Sequence, residues 1–143
     1  MPLRPLLEGF RAQNIALGVA TNDSEVPARA HLGAAGITDL FDFIAGYDSG
    51  HGGKPAPGQL LAFAKAVGLE PAQIAMVGDS THDLHAGRAA GMRTIAVLTG
   101  TAVTAQLAPF ADVVLADIGE FNGVTSWFTE AYFTKVKIFV FEL

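Results

Sequence analysis

Short apolar runs recur along the chain, separated by longer stretches in which apolar and polar positions mix. The runs are IALGVAT (15–21), FDFIAG (41–46), IAMVG (74–78), TIAVL (94–98) and DVVLA (112–116). Each has the length of a strand and is nearly continuous in hydrophobicity, as expected of strands buried on both faces rather than on one. The stretches between them read as helices. LRPLLEGFRAQ precedes the first run, and SEVPARAHLGAAG follows it, with Ser24 placed to cap its start and Gly36 to stop it. PGQLLAFAKAVG starts at Pro57 and stops at Gly68, and HDLHAGRAAG stops at Gly91. Strand-like runs alternating with helical stretches predict βαβ units around a parallel sheet, hence one doubly wound, Rossmann-like α/β three-layer sandwich.

Composition narrows this picture without redrawing it. A chain of 143 residues fits a single core. With 50% hydrophobic and 16% charged residues, disorder is excluded as a class. A net charge of −5 with no basic block argues against a nucleic-acid partner, because phosphate backbones are gripped by clustered Lys and Arg. The chain has no cysteine, so disulfides, thiol nucleophiles and zinc–thiolate sites are out. The opening MPLRPLLEGF is too short, and too interrupted by Pro2 and Pro5, for a secretory signal; no apolar run approaches the roughly 18 residues that span a bilayer. The expectation is a soluble, cytoplasmic protein without a membrane partner.

Open parallel sheets bind ligands beyond the carboxyl ends of their strands, and this rule selects residues. The run 15–21 leads into Thr21-Asn22-Asp23, the run 41–46 into YDSGHGGKP, and the run 74–78 into Asp79-Ser80-Thr81. Thr21 offers a hydroxyl beside a helix start, suited to an anion such as phosphate or, equally, to capping. Lys54 lies in GHGGKPAPG, where glycines permit close backbone approach and an ammonium could neutralise phosphate. A Walker-type loop ending at Gly53-Lys54 fails at Asp48 and Pro55, and a dinucleotide fingerprint from Gly50 and Gly52 fails at Pro55. Asp79 and Asp83 stand one helical turn apart and can approach one cation, for which hard oxygen ligands favour magnesium. The alternative is that Asp79 caps the helix and Asp83 complements its dipole. His82, His85 and His31 read as solvated helix positions, His51 as an exposed loop residue or a substrate contact, and Trp127, Phe128, Tyr132 and Phe133 as packing or an interface.

Taken together, ALGVATND (16–23), GGKPAPG (52–58) and MVGDSTHDLHAGRAAGM (76–92) resemble the haloacid dehalogenase-like superfamily, in particular its phosphoglycolate phosphatase-like branch. The resemblance runs from about residue 4 to about residue 120 and matches in order and spacing. It implies a magnesium-dependent phosphatase core acting on a small phosphorylated metabolite. Thr21 and Asn22 would meet the phosphoryl group, Lys54 would steady the nucleophile and the phosphate, and Asp79 and Asp83 would anchor Mg2+ directly or through water. The family also uses a first motif, an apolar strand ending Asp-x-Asp-Gly-Thr, whose aspartates act as nucleophile and as general acid and base. No such motif precedes residue 16, and no cap domain is expected within residues 1–143.

The closing TKVKIFVFEL is similar to that family's opening strand, with Glu142 where the nucleophilic aspartate would stand. The chain therefore divides into a core, 1–121, and a C-terminal segment, 122–143, whose strand is expected to fill the missing central slot, as in a circular permutation or by exchange between copies in a homo-oligomer. A tail or an added edge strand is the alternative. Glu142 is one methylene longer than aspartate, and in-line attack tolerates little misplacement, so weak or absent turnover is expected. A non-catalytic phosphate- or metal-binding relative, or a strand-exchanging truncated one, is the competing reading.

Overall fold

A computed structural model describes residues 3–117 and 138–141, the last four by their backbone. Helix α1 (Leu3–Ala12) leads into strand β1 (Ala16–Ala20), followed by α2 (Glu25–Ala34), β2 (Phe43–Ala45), α3 (Gly58–Val67) and β3 (Ile74–Gly78). Then come α4 (Thr81–Ala90), β4 (Arg93–Val97), the short α5 (Thr104–Leu107), β5 (Val113–Leu115) and β6 (Ile138–Phe141). The strands form one six-stranded sheet in the order β2-β1-β6-β3-β4-β5. Every neighbouring pair is parallel. β6 therefore lies between β1 and β3, with Phe141 in register with both Val19 and Val77.

Strand alternation sorts the core onto two faces. Leu17 and Val19 of β1, with Ala75 and Val77 of β3 and Ile95 and Val97 of β4, pack beneath α1 and α2 through Leu7, Phe10 and Leu32. Ala20, Ile74 and Met76 point the other way, against Leu60 and Phe63 of α3 and Ala86 and Ala90 of α4. Two helical layers thus enclose the sheet, the doubly wound α/β sandwich that the alternation predicts. Gly18 lets α3 approach: the Phe63 ring occupies the space that a Cβ at this position would need. Among the described residues, no helix is long and apolar enough to cross a membrane.

The edge strands are shorter than their apolar runs, for a shared reason. Asp42 donates its N–H to Leu17 O at 2.8 Å, and its carboxylate accepts the N–H of Leu17 at 3.1 Å. Asp112 does the same at the opposite edge, to Thr94 O and from Thr94 N, both at 2.8 Å. An aspartate just before each edge strand so supplies a side-chain bond ahead of the first ladder pair. Helix ends follow the predicted signals at Gly68 and Gly91, which adopt left-handed φ of 70° and 80° as C-caps. Ser24 stands at the N-cap of α2 but makes no capping bond with its side chain. Asp48 Oδ1 instead accepts the N–H of Glu25 at 2.8 Å, so that helix start is capped from the loop after β2.

Candidate active site

The polar residues singled out by the sequence lie at the carboxyl edge of β1 and β3, the strands on either side of β6. Thr21 follows β1 directly and is buried, at 1% exposure. Its Oγ1 accepts the N–H of Asp23 at 3.1 Å, which closes a tight turn and leaves the hydroxyl proton as a donor. The Thr21 main chain is anchored on both sides: its N–H donates to Ala45 O at 3.0 Å, and its carbonyl accepts from Gln59 Nε2 at 2.9 Å.

Lys54 reaches this edge from the glycine-rich loop before α3. Its side chain is 1% exposed, and Nζ donates to Ala20 O at 2.6 Å while pairing with Asp83 Oδ1 at 2.8 Å. Burial pushes the ammonium below its ordinary value, opposed by Asp83 and, less strongly, by Asp79 and Asp23. The loop is tied to β1 by Asn22, whose Nδ2 donates to Lys54 O at 3.0 Å while its Oδ1 accepts the N–H of Lys54 at 2.8 Å. Gly53 permits this closeness, since a Cβ there would come within 2.8 Å of Asn22 Oδ1. The expectation that Asn22 meets phosphate was drawn from the motif alone; in the structure its amide clasps both polar groups of the Lys54 backbone.

Asp79 and Asp83 are brought together, but they are not equivalent. Asp83 is 2% exposed, and its Oδ2 accepts the N–H groups of Asp79 and Ser80 at 3.1 Å each. Ser80 Oγ in turn accepts from Asp83 N at 3.3 Å, so Ser80 is the N-cap of α4 and Asp83 closes a reciprocal capping box. The capping alternative is thus corrected in its detail, because Ser80 rather than Asp79 is the cap. With Oδ1 paired to Lys54 and Oδ2 held by two N–H groups, Asp83 is committed to protein partners.

Asp79 is half-buried, and its carboxyl is pushed above the ordinary value, first by burial and then by the neighbouring Asp83 charge. A carboxylate made uncomfortable by burial and by a like charge is suited to a cation. It opens onto a cavity of about 450 Å³ lined also by Ser80, Thr81, Gly100, Thr101 and Gln106. Gly100 makes room for it, since a Cβ there would stand 2.7 Å from Asp79 Oδ2. Among the described residues, no three His, Asp or Glu side chains gather into a cage. Magnesium takes one or two protein carboxylates, a demand that Asp79, with Asp83 beside it, fits.

The remaining candidates separate clearly. His82 and His85 are exposed on α4, the latter with its ring 4.4 Å from that of Phe110. His31 is exposed on α2, and His51 is exposed with its ring 6.0 Å from Phe43. Glu142, Trp127, Phe128, Tyr132 and Phe133 lie outside the described residues. Gln59, which the sequence reading passed over, is fully buried at the edge of the site. Its signal was a polar side chain in line with Phe63, four residues on, along the buried face of an apolar helix.

Known proteins are similar to this chain in sequence and in fold. A family model for haloacid dehalogenase-like hydrolases matches residues 3–97. The phosphoglycolate phosphatase of Rhodospirillum rubrum is 37% identical over 123 residues, covering 82% of this chain and 50% of its own. That of Chromobacterium violaceum is 38% identical over 111 residues, covering 78% and 49%. The chain thus spans about half the length of these curated relatives. The crystal structure of a predicted phosphoglycolate phosphatase from Haemophilus somnus superposes with a TM-score of 0.78 at 28% identity, over 86% of this chain and 55% of that one. A family hydrolase from Deinococcus radiodurans, solved with bound phosphate and sodium, gives 0.78 at 25% identity, over 88% and 58%. With its parallel sheet, its three motifs in order and a family match over most of its length, the chain belongs to the haloacid dehalogenase-like hydrolases.

Proposed function

We propose that this chain is the core of a magnesium-dependent phosphatase acting on a small phosphate monoester, of the phosphoglycolate phosphatase kind. The observation that carries the reading is the convergence on Lys54: one buried ammonium joins the end of β1 through Ala20 O and the start of α4 through Asp83. A cation held dry at a strand edge stabilises negative charge developing on a transferring phosphoryl group far better than one in water. Thr21 supplies a hydroxyl donor to the same group, and Asn22 sets the Lys54 backbone. Asp79 would hold Mg2+, which supplies charge neutralisation on phosphate oxygens when bound.

In this reading β6 takes the place of the family's first strand, and Glu142, the residue joined to Phe141, takes the nucleophile's place. The longer side chain makes turnover slow, because near-attack geometry is lost with small displacements. A cytoplasmic setting agrees with a chain free of cysteine.

Hydrolysis of p-nitrophenyl phosphate with and without magnesium tests the proposal. Slow, magnesium-dependent release that disappears in Asp79→Asn supports it. Phosphate binding with no turnover at any magnesium concentration replaces it with the non-catalytic reading, and absence of both removes it.

A further inference from the structure

We infer that Gln59 is a positioning residue of the phosphoryl site, acting through the main chain of Thr21; this rests on the phosphate-binding reading of Thr21. The side chain of Gln59 is 0% exposed and lies on the α3 face that also buries Leu60 and Phe63. Its Nε2 donates to the Thr21 carbonyl at 2.9 Å, while the Thr21 N–H is already held by Ala45 O at 3.0 Å. With both backbone groups fixed, the direction of the Thr21 hydroxyl is set by its χ1 alone. The following peptide is set as well, and with it the start of the turn that Asp23 N closes on Thr21 Oγ1.

The other half of the amide separates this role from packing. Gln59 Oε1 is buried and has no hydrogen-bond partner among the described residues. An unpaired buried acceptor destabilises a fold, and an apolar side chain of equal length would fill the same space without it. What the glutamine adds over such a side chain is the single donor to Thr21. Three contacts then hold the end of β1 to the segment 54–59: Lys54 on Ala20, Asn22 on the Lys54 backbone, and Gln59 on Thr21. The first two place the cation, and the third places the hydroxyl.

The test uses the full chain with Gln59→Met and Gln59→Leu, thermal unfolding as the stability readout, and calorimetric titration with inorganic phosphate in the presence of magnesium. The expected result is a cooperative fold with a melting temperature lowered by only a few degrees, since the unpaired Oε1 is removed while the Thr21 carbonyl loses its donor, together with phosphate binding about tenfold weaker, the loss expected for one oriented hydrogen bond. Folded variants that bind phosphate as the unaltered chain does overturn the inference alone. Collapse of the fold in both variants also overturns it, since the bond would then serve the core. Failure of the unaltered chain to bind phosphate removes the reading of Thr21 and this inference with it.

Discussion

Lys54 Nζ and Asp83 Oδ1 stand 2.8 Å apart with their side chains 1% and 2% exposed, an ion pair sealed between the loop before α3 and the first turn of α4. Taking both charges out of water opposes folding, and the pair is tolerated because other partners offset the cost: Ala20 O takes a second ammonium proton, and two N–H groups take the second carboxylate oxygen. Through Ala20 O and Asp83, Lys54 joins the end of β1 to the start of α4.

Removing one partner is therefore expected to be severe. Asp83→Asn strands a buried ammonium and should lower stability by about 3–5 kcal/mol. Lys54→Met should act similarly, while the double variant Lys54→Met with Asp83→Leu should lose clearly less than the two single losses combined. Urea unfolding of the four proteins measures the coupling, and simple additivity would show the pair to be unimportant.

Asp79 has the opposite character, because its charged form is disfavoured where it stands. Its folded pKa lies above 3.8, so the stability its protonated form contributes is fully present below that value and is lost as pH rises through the folded pKa. Asp79→Asn, which imitates the protonated form, should raise the melting temperature at neutral pH, and the advantage should shrink on acidification. Thermal scans between acid and neutral pH check this; a variant less stable at neutral pH would contradict it.

In the proposed function magnesium sits on Asp79 and so competes with that same proton. Heat protection by the ion, which follows mass action, should be present at neutral pH and should fade on acidification earlier than an ordinary aspartate would dictate. It should be absent in Asp79→Asn. Gly100→Ala provides a second check: its Cβ would stand 2.7 Å from Asp79 Oδ2 and should weaken the ion's hold while leaving the fold cooperative.

Asn22 is predicted to act on Lys54 rather than on a ligand. Asn22→Ala releases both polar groups of the Lys54 backbone, which should weaken inorganic phosphate binding about tenfold. If Asn22 touched the anion itself, Asn22→Asp would repel it and bind worse than the alanine variant. If it only holds the loop, the aspartate retains the acceptor for Lys54 N and should bind no worse. Calorimetry on the two variants separates these cases.

Gly18 tests the packing beneath the site. A Cβ there would run into the Phe63 ring, so Gly18→Ala should cost about 1–3 kcal/mol by overpacking. Because β1 carries Thr21 at its end, phosphate affinity should fall with it, and Phe63→Leu in the same chain should restore part of both. Unfolding curves and phosphate titration of the single and double variants read the two effects.

Much of this molecule is legible in the order of its residues. Short continuous apolar runs set between helical stretches read as strands wetted on neither face, and glycines at 68 and 91 end helices because a left-handed residue satisfies the last carbonyls with no Cβ to strain. Those are local demands, met within a few residues, and the chain states them in full. That Thr21 and Asp79 directly follow strands was likewise readable. What the sequence could not state was who meets whom across the sheet. That Asp83 spends both oxygens on Lys54 and on the helix start, that Asn22 grips the Lys54 backbone, that Asp48 rather than Ser24 caps α2, and that Gln59 holds the Thr21 carbonyl all depend on contacts between segments up to 38 residues apart. Periodicity says which face of an element is buried, whereas a polar partner is chosen by the distances that packing leaves between elements, and these exist only once the sheet is assembled.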